Sequence, residues 1–90
     1  MAPRITMSLT AGGEFEIYLN DEGRNLLIQK LQSIGERNDH FHLVAWYDAE
    51  VRLGKVAYRP SDKIIDAAKI LFRTDEWDRQ HYPHVLDDKN

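Results

Sequence analysis

His40 and His42 stand two residues apart in the run NDHFHLVAW, immediately before an apolar stretch. Imidazoles can ligate a transition metal, move protons near neutral pH, or offer a flat amphipathic surface to a partner. At alternate positions of a strand both rings project to one side, and Glu14 or Glu16 is the carboxylate that would have to join them as a ligand. Two histidines and one distant acid fall short of a ligand set, so no metal and no cofactor is expected. As a general base, His40 or His42 lacks an identifiable nucleophile, because the chain has no cysteine and Ser8 carries no accompanying motif. Glu14 and Glu16 would be ordinary solvated acids on an open sheet face. The chain contains no Gly-x-Ser-x-Gly turn, no glycine-rich phosphate loop and no His-Glu-x-x-His pair, so no catalytic residue and no enzymatic activity is expected. His81 and His84, in the run HYPH, belong to a polar tail and read as solvent-exposed.

The elements that position these residues follow from periodicity. Ile5, Met7 and Leu9 alternate with Arg4, Thr6 and Ser8, and Phe15, Ile17 and Leu19 alternate with Glu14, Glu16 and Tyr18, the period of two half-buried strands. Gly12 and Gly13 between them supply a tight reversal, so a hairpin is expected. Asn20 is a good helix cap, and Asp21 and Glu22 complement the positive end of the helix dipole. Leu27, Ile28, Leu31 and Ile34 then make an apolar stripe that Gly35 is placed to end in a left-handed conformation. The next strand spans about His40 to Tyr47, with Phe41, Leu43 and Ala45 facing one way and His40, His42, Val44 and Trp46 the other.

Beyond it, a turn at Asp48 to Glu50, a break at Gly54 and a short strand KVAYR closed by Pro60 are expected. Residues 61–73 suit either a helix capped by Ser61 or a strand over about Asp66 to Arg73, and the strand is preferred because a sheet under one helix needs further pairing. Thr74 with Asp75 and Glu76 caps a short helix that Pro83 stops. The expected fold is α+β in two layers, an antiparallel sheet with one helix packed on one face, in the order β-β-α-β-(β)-β. Residues 1–73 form that single domain and 74–90 an acidic C-terminal tail.

Ninety residues with 42% hydrophobic content make one small core and no second domain. No apolar run approaches the roughly 20 residues that cross a bilayer, and MAPRITMSL lacks the plan of a secretory signal, so a soluble, cytoplasmic protein without membrane contact is expected. Of the 15 acids and 12 bases, residues 74–90 hold five acids and two bases, which leaves the body neutral and the tail acidic. Without a cluster of Lys and Arg to displace phosphate counterions, direct nucleic-acid binding is not expected.

If the strands share one sheet, its outward face collects Tyr18, His40, His42 and Trp46 among charged residues, and nothing in the sequence supplies a layer to cover it. Such a mixture of aromatics, imidazoles and charges suits a protein interface. The candidate partner-binding residues are Tyr18, His40, His42 and Trp46, with Asp75, Glu76 and Trp77 of the tail. A metal-binding protein using His40 and His42, and an interaction or oligomerisation module that pairs with its own copy, are the alternatives.

The run EFEIYLNDEGRNLLIQKLQS, followed by NDHFHL and then AKILFR, resembles the immunity protein 32 family of bacterial immunity proteins. The matching pieces are Leu19 with Glu22-Gly23, then Asp39-His40-Phe41-His42-Leu43, then Lys69-Ile70-Leu71-Phe72-Arg73, and they span most of residues 14–73. The most specific piece is Asp-His-Phe-His-Leu a short loop after the helix. The chain departs from the family pattern at Tyr47-Asp48-Ala49, where glycines would sit between Trp46 and Glu50, and the tail beyond Arg73 lies outside the likeness. The resemblance implies a protein of a polymorphic toxin system that protects its own cell by binding and neutralising a cognate protein toxin.

Overall fold

The computed structural model describes residues 2–46 and 50–87, which form an α+β fold. Strands β1 (Ile5–Leu9) and β2 (Phe15–Leu19) make the expected antiparallel hairpin, turned at Gly13 with φ +90. Helix α1 (Asp21–Ser33) starts where Asn20 caps it: the Asn20 side-chain oxygen accepts the Gly23 N–H at 2.7 Å and the Arg4 N–H at 2.8 Å. One amide therefore ties the helix to the start of β1. Gly23 is buried there, and a Cβ on it would lie 2.3 Å from the Arg4 carbonyl oxygen.

The remaining strands are β3 (His40–Val44), β4 (Val51–Arg52), β5 (Lys63–Ile65) and β6 (Ala67–Leu71). They complete two three-stranded sheets, β2-β1-β5 and β4-β3-β6, where a single antiparallel sheet was expected. All pairs are antiparallel except β3 with β4, which run parallel. Two links join the sheets. Strands β5 and β6 are consecutive and separated only by Asp66, whose carbonyl accepts the Ala45 N–H at 2.9 Å, so one bent length of chain serves β1 and then β3. Leu53, just past β4, bridges Ile5 of β1.

The core lies where the sheets meet, and consists of Ile5, Met7, Phe41, Leu43, Ala45, Val51 and Leu53, with Leu26, Leu27, Ile34 and Ile65 packed against it. The helix buries the side that carries Leu26 and Leu27, and leaves Ile28 and Leu31 exposed although they fall on the expected apolar stripe. Phe15, Ile17 and Leu19 share the core side of their sheet but stay 53, 43 and 40% exposed, because β2 is an edge strand that the helix only partly covers.

Several local expectations are corrected. Gly35 does not end the helix left-handed: the cap is Ile34 in extended conformation, and Gly13 is the residue with positive φ among those described. The strand begun at His40 ends at Val44, and Tyr47, Asp48 and Ala49 lie outside the described residues. KVAYR is not a strand, since pairing falls just before it, at Val51 to Leu53. The helical alternative for residues 61–73 gives way to β5 and β6. The tail forms helix α2 (Asp75–His81), capped by the Thr74 hydroxyl accepting the Trp77 N–H, then a 3-10 turn over Pro83–Asp87.

The largest correction concerns the outward face of the first sheet, expected to be open. Thr6 and Ser8, on that face of β1, are 2 and 0% exposed. The segment 54–62 covers them. The Gly54 N–H donates to the Ile5 carbonyl at 2.7 Å, so close an approach that a Cβ on Gly54 would meet the Thr6 hydroxyl oxygen at 2.6 Å. Further along, Tyr58 stacks on Tyr18, and Arg59 bridges Glu16 and the buried Asp62.

Candidate functional site

The outward face of β4-β3-β6, by contrast, is open among the described residues. Alternation along β3 sends Phe41, Leu43 and Ala45 into the core and leaves His42 exposed and His40 partly exposed on the other side. Their cross-strand partners on β6 are Leu71 opposite His40 and Lys69 opposite His42. Val44, one step further on, is buried beside Ala67 in a shallow depression that His42 and Lys69 also line. Trp46 follows the strand and is 60% exposed.

Asp39 organises one end of this face. One of its carboxylate oxygens lies 2.8 Å from His40 Nδ1 and the other accepts a 2.8 Å bond from Arg73 Nη1. Its backbone carbonyl accepts the Phe72 N–H, which fixes the end of β6 against the start of β3. The His40 bond first, and the Arg73 charge after it, hold the Asp39 carboxyl below the usual carboxylate range. The Arg73 guanidinium in turn lies 4.3 Å from the centroid of Trp77, a cation–π contact, and Trp77 stacks on His81 at 4.1 Å. A groove of about 280 Å³ runs between these groups, with Glu36, Phe72, Glu76 and Gln80 on its walls.

At the other end, Glu50 accepts the backbone N–H of His42 at 3.1 Å and sits 3.7 Å from its Nδ1. That backbone bond holds the Glu50 carboxyl down. The two imidazoles meet edge to face with centroids 5.1 Å apart, so the face carries a continuous series: Glu50, His42, His40, Asp39, Arg73, Trp77, His81.

Chemically, a carboxylate at His40 Nδ1 favours the tautomer that carries its proton there and leaves Nε2 as an acceptor. No hydroxyl is hydrogen-bonded to either imidazole among the described residues, and no group of three or more metal-ligating side chains converges among them. The edge-to-face contact sets the ring planes at 89°, which aims the edge of one ring at the face of the other. The arrangement suits recognition of a surface by aromatic faces and paired charges.

The expected site residues divide into three places. His40 and His42 share the open face, and Trp46 stands exposed just past the end of the strand that carries them. Trp77 reaches that face through Arg73, and Glu76, paired with Arg79 at 2.8 Å, lines the groove beside them, whereas Asp75 stands exposed on the first turn of α2. Tyr18 is elsewhere, on the outer side of the other sheet, half-covered by Tyr58 with its hydroxyl donating to Glu16 at 2.8 Å. Sequence reasoning missed Asp39, Glu50 and Arg73 as organising groups. An acid directly before His40 was the available signal for Asp39, while Glu50 and Arg73 are joined to the histidines only by strand pairing.

The fold is a small α+β domain whose second sheet carries a face of imidazoles and paired charges. Comparison with protein-family models, with curated proteins and with solved structures finds no match to this chain.

Proposed function

We propose that this chain is an immunity protein that binds a cognate bacterial toxin in the cytoplasm and neutralises it by occlusion, without turnover. The supporting observation is the clamp at Asp39, which holds His40 and Arg73 together and through Arg73 sets Trp77 in place. Side chains ordered before binding lose less entropy when a partner arrives, and Trp and Arg are the residue types that most often anchor interfaces. The family resemblance supplies the class of partner, and the acidic tail would speed encounter with a basic target. Nucleic acid and membrane are not partners in this reading.

A toxin-domain protein encoded beside this chain should be captured by it and give a one-to-one calorimetric isotherm. His40→Ala and Trp77→Ala should each weaken that complex by about tenfold or more, the scale of an interface anchor. Equal affinity in both variants, or no complex with the neighbouring toxin, overturns the proposal.

One observation favours a second reading, metal binding at the same histidines. Each has a carboxylate near Nδ1 and an Nε2 with no hydrogen bond among the described residues, as metal-ligating histidines commonly do. Titration with zinc, nickel and copper separates the readings, since only the second requires a one-to-one isotherm that His42→Ala abolishes.

A further inference from the structure

We infer that β2 is a self-pairing edge, through which two copies of this chain join their first sheets about a two-fold axis at Ile17. Strand β2 pairs with β1 on one side only, and nothing among the described residues hydrogen-bonds to its other side. The hairpin bonds fix which groups face outward. The Asn20 N–H donates to the Arg4 carbonyl and the Thr10 N–H to the Glu14 carbonyl, so the even-numbered residues of this strand direct their backbone groups at β1. Phe15, Ile17 and Leu19 therefore direct their N–H and C=O groups outward.

Of the devices that blunt such an edge, Phe15–Leu19 has a single charge, Glu16, and no proline, no lysine and no bulge. Instead the strand is complementary to itself. Antiparallel pairing centred on Ile17 sets Ile17 against its symmetry mate and Phe15 against Leu19 of the second copy, all on the side where these residues are now exposed. On the other side it sets Glu16 opposite Tyr18 of the second copy. Each outward N–H then meets an outward C=O.

Neighbouring registers are worse. Sliding one strand two residues toward the turn sets Glu16 directly against Glu16, an unfavourable cross-strand pair. Sliding it the other way carries Phe15 onto Asp21, which already belongs to α1. Charge and ladder length thus select one register and a second copy of this chain as the occupant, a two-fold interface of the commonest kind. The surface is separate from the His40 and Trp77 face, so this inference is independent of toxin binding.

Sedimentation of the full chain from micromolar to millimolar concentration tests it. The expected mass rises to twice the 10.5 kDa of one chain. Ile17→Lys, at a side chain already 43% exposed, should stay monomeric throughout and unfold like wild type at the low concentrations where wild type is also monomeric. Phe15→Lys and Leu19→Glu supply a register check: mixed together they should give a heterodimer, because this register alone sets Lys against Glu, while each alone dimerises more weakly than wild type. A wild-type mass of one chain at every concentration, a dimer that survives Ile17→Lys, or a mixture no more associated than its components overturns the inference.

Discussion

Tyr58 lies flat on Tyr18, with ring centroids 3.8 Å apart and planes within 8°. This stack holds down the segment that covers the outer side of the hairpin. Tyr58→Ala should cost about 1–2 kcal/mol, a stacked pair together with its lost burial. Urea denaturation measures the loss, and hydrogen exchange should quicken at Gly54, whose N–H bonds to Ile5 under the same cover. An unchanged midpoint would show that Arg59 and the Gly54 bond to Ile5 hold the cover without the stack.

Gly23→Ala offers a test of opposite sign from helix propensity. In an exposed helix the change stabilises by about 1 kcal/mol. Here the new methyl would press on the backbone oxygen of Arg4, which cannot rotate away as a side chain could. A net loss of about 2 kcal/mol or more is expected, as for other overpacked sites. A Gly23→Ala protein as stable as wild type would mean that the junction of β1 and α1 yields easily.

Ser8 presents the reverse case. Its hydroxyl is fully buried and has no hydrogen-bond partner among the described residues. Removing an unpartnered hydroxyl relieves a desolvation cost, so Ser8→Ala should be neutral or stabilising by up to about 1 kcal/mol. A loss above that in thermal or chemical denaturation would reveal a bond to Ser8 in solution.

Acid should weaken the fold through three carboxylates. Glu16, bonded by Tyr18 and Arg59, is held below its ordinary range, as are Asp39 and Glu50. A carboxyl lowered in the folded state adds stability that is complete above the unfolded value, about 4, and is lost as pH falls through the folded value. Thermal transitions should therefore stay level above about pH 5 and drop below about pH 4. Combining Glu16→Gln, Asp39→Asn and Glu50→Gln in one chain should flatten that drop, and an acid limb as steep as wild type would assign it to other groups.

Much of the frame was legible because it is local. The alternation in β1 and β2, Asn20 before Asp21 and Glu22, the inward set of Phe41, Leu43 and Ala45, and Thr74 before Asp75 each declare an element within a few residues. What escaped is non-local. The ties of segment 54–62 join residues as much as 49 positions apart, from Gly54 to Ile5, and its own pattern misleads: Val56 and Tyr58 alternate like a strand, yet Val56 is 80% exposed. Strand β4 has two residues, too few for any period to show. The site divides the same way, since His40 and His42 can be paired from their spacing, whereas Arg73 reaches Asp39 only because β6 lies beside β3.

The bent length of chain through Asp66 sets the order in which the molecule can be completed. As the polypeptide emerges during synthesis, the N-terminal hairpin and helix can gather early, but both sheets wait for one late segment to supply their third strand. Until it arrives the nascent hairpin carries two unsatisfied margins, a window of vulnerability to mispairing that slow, distant closure prolongs.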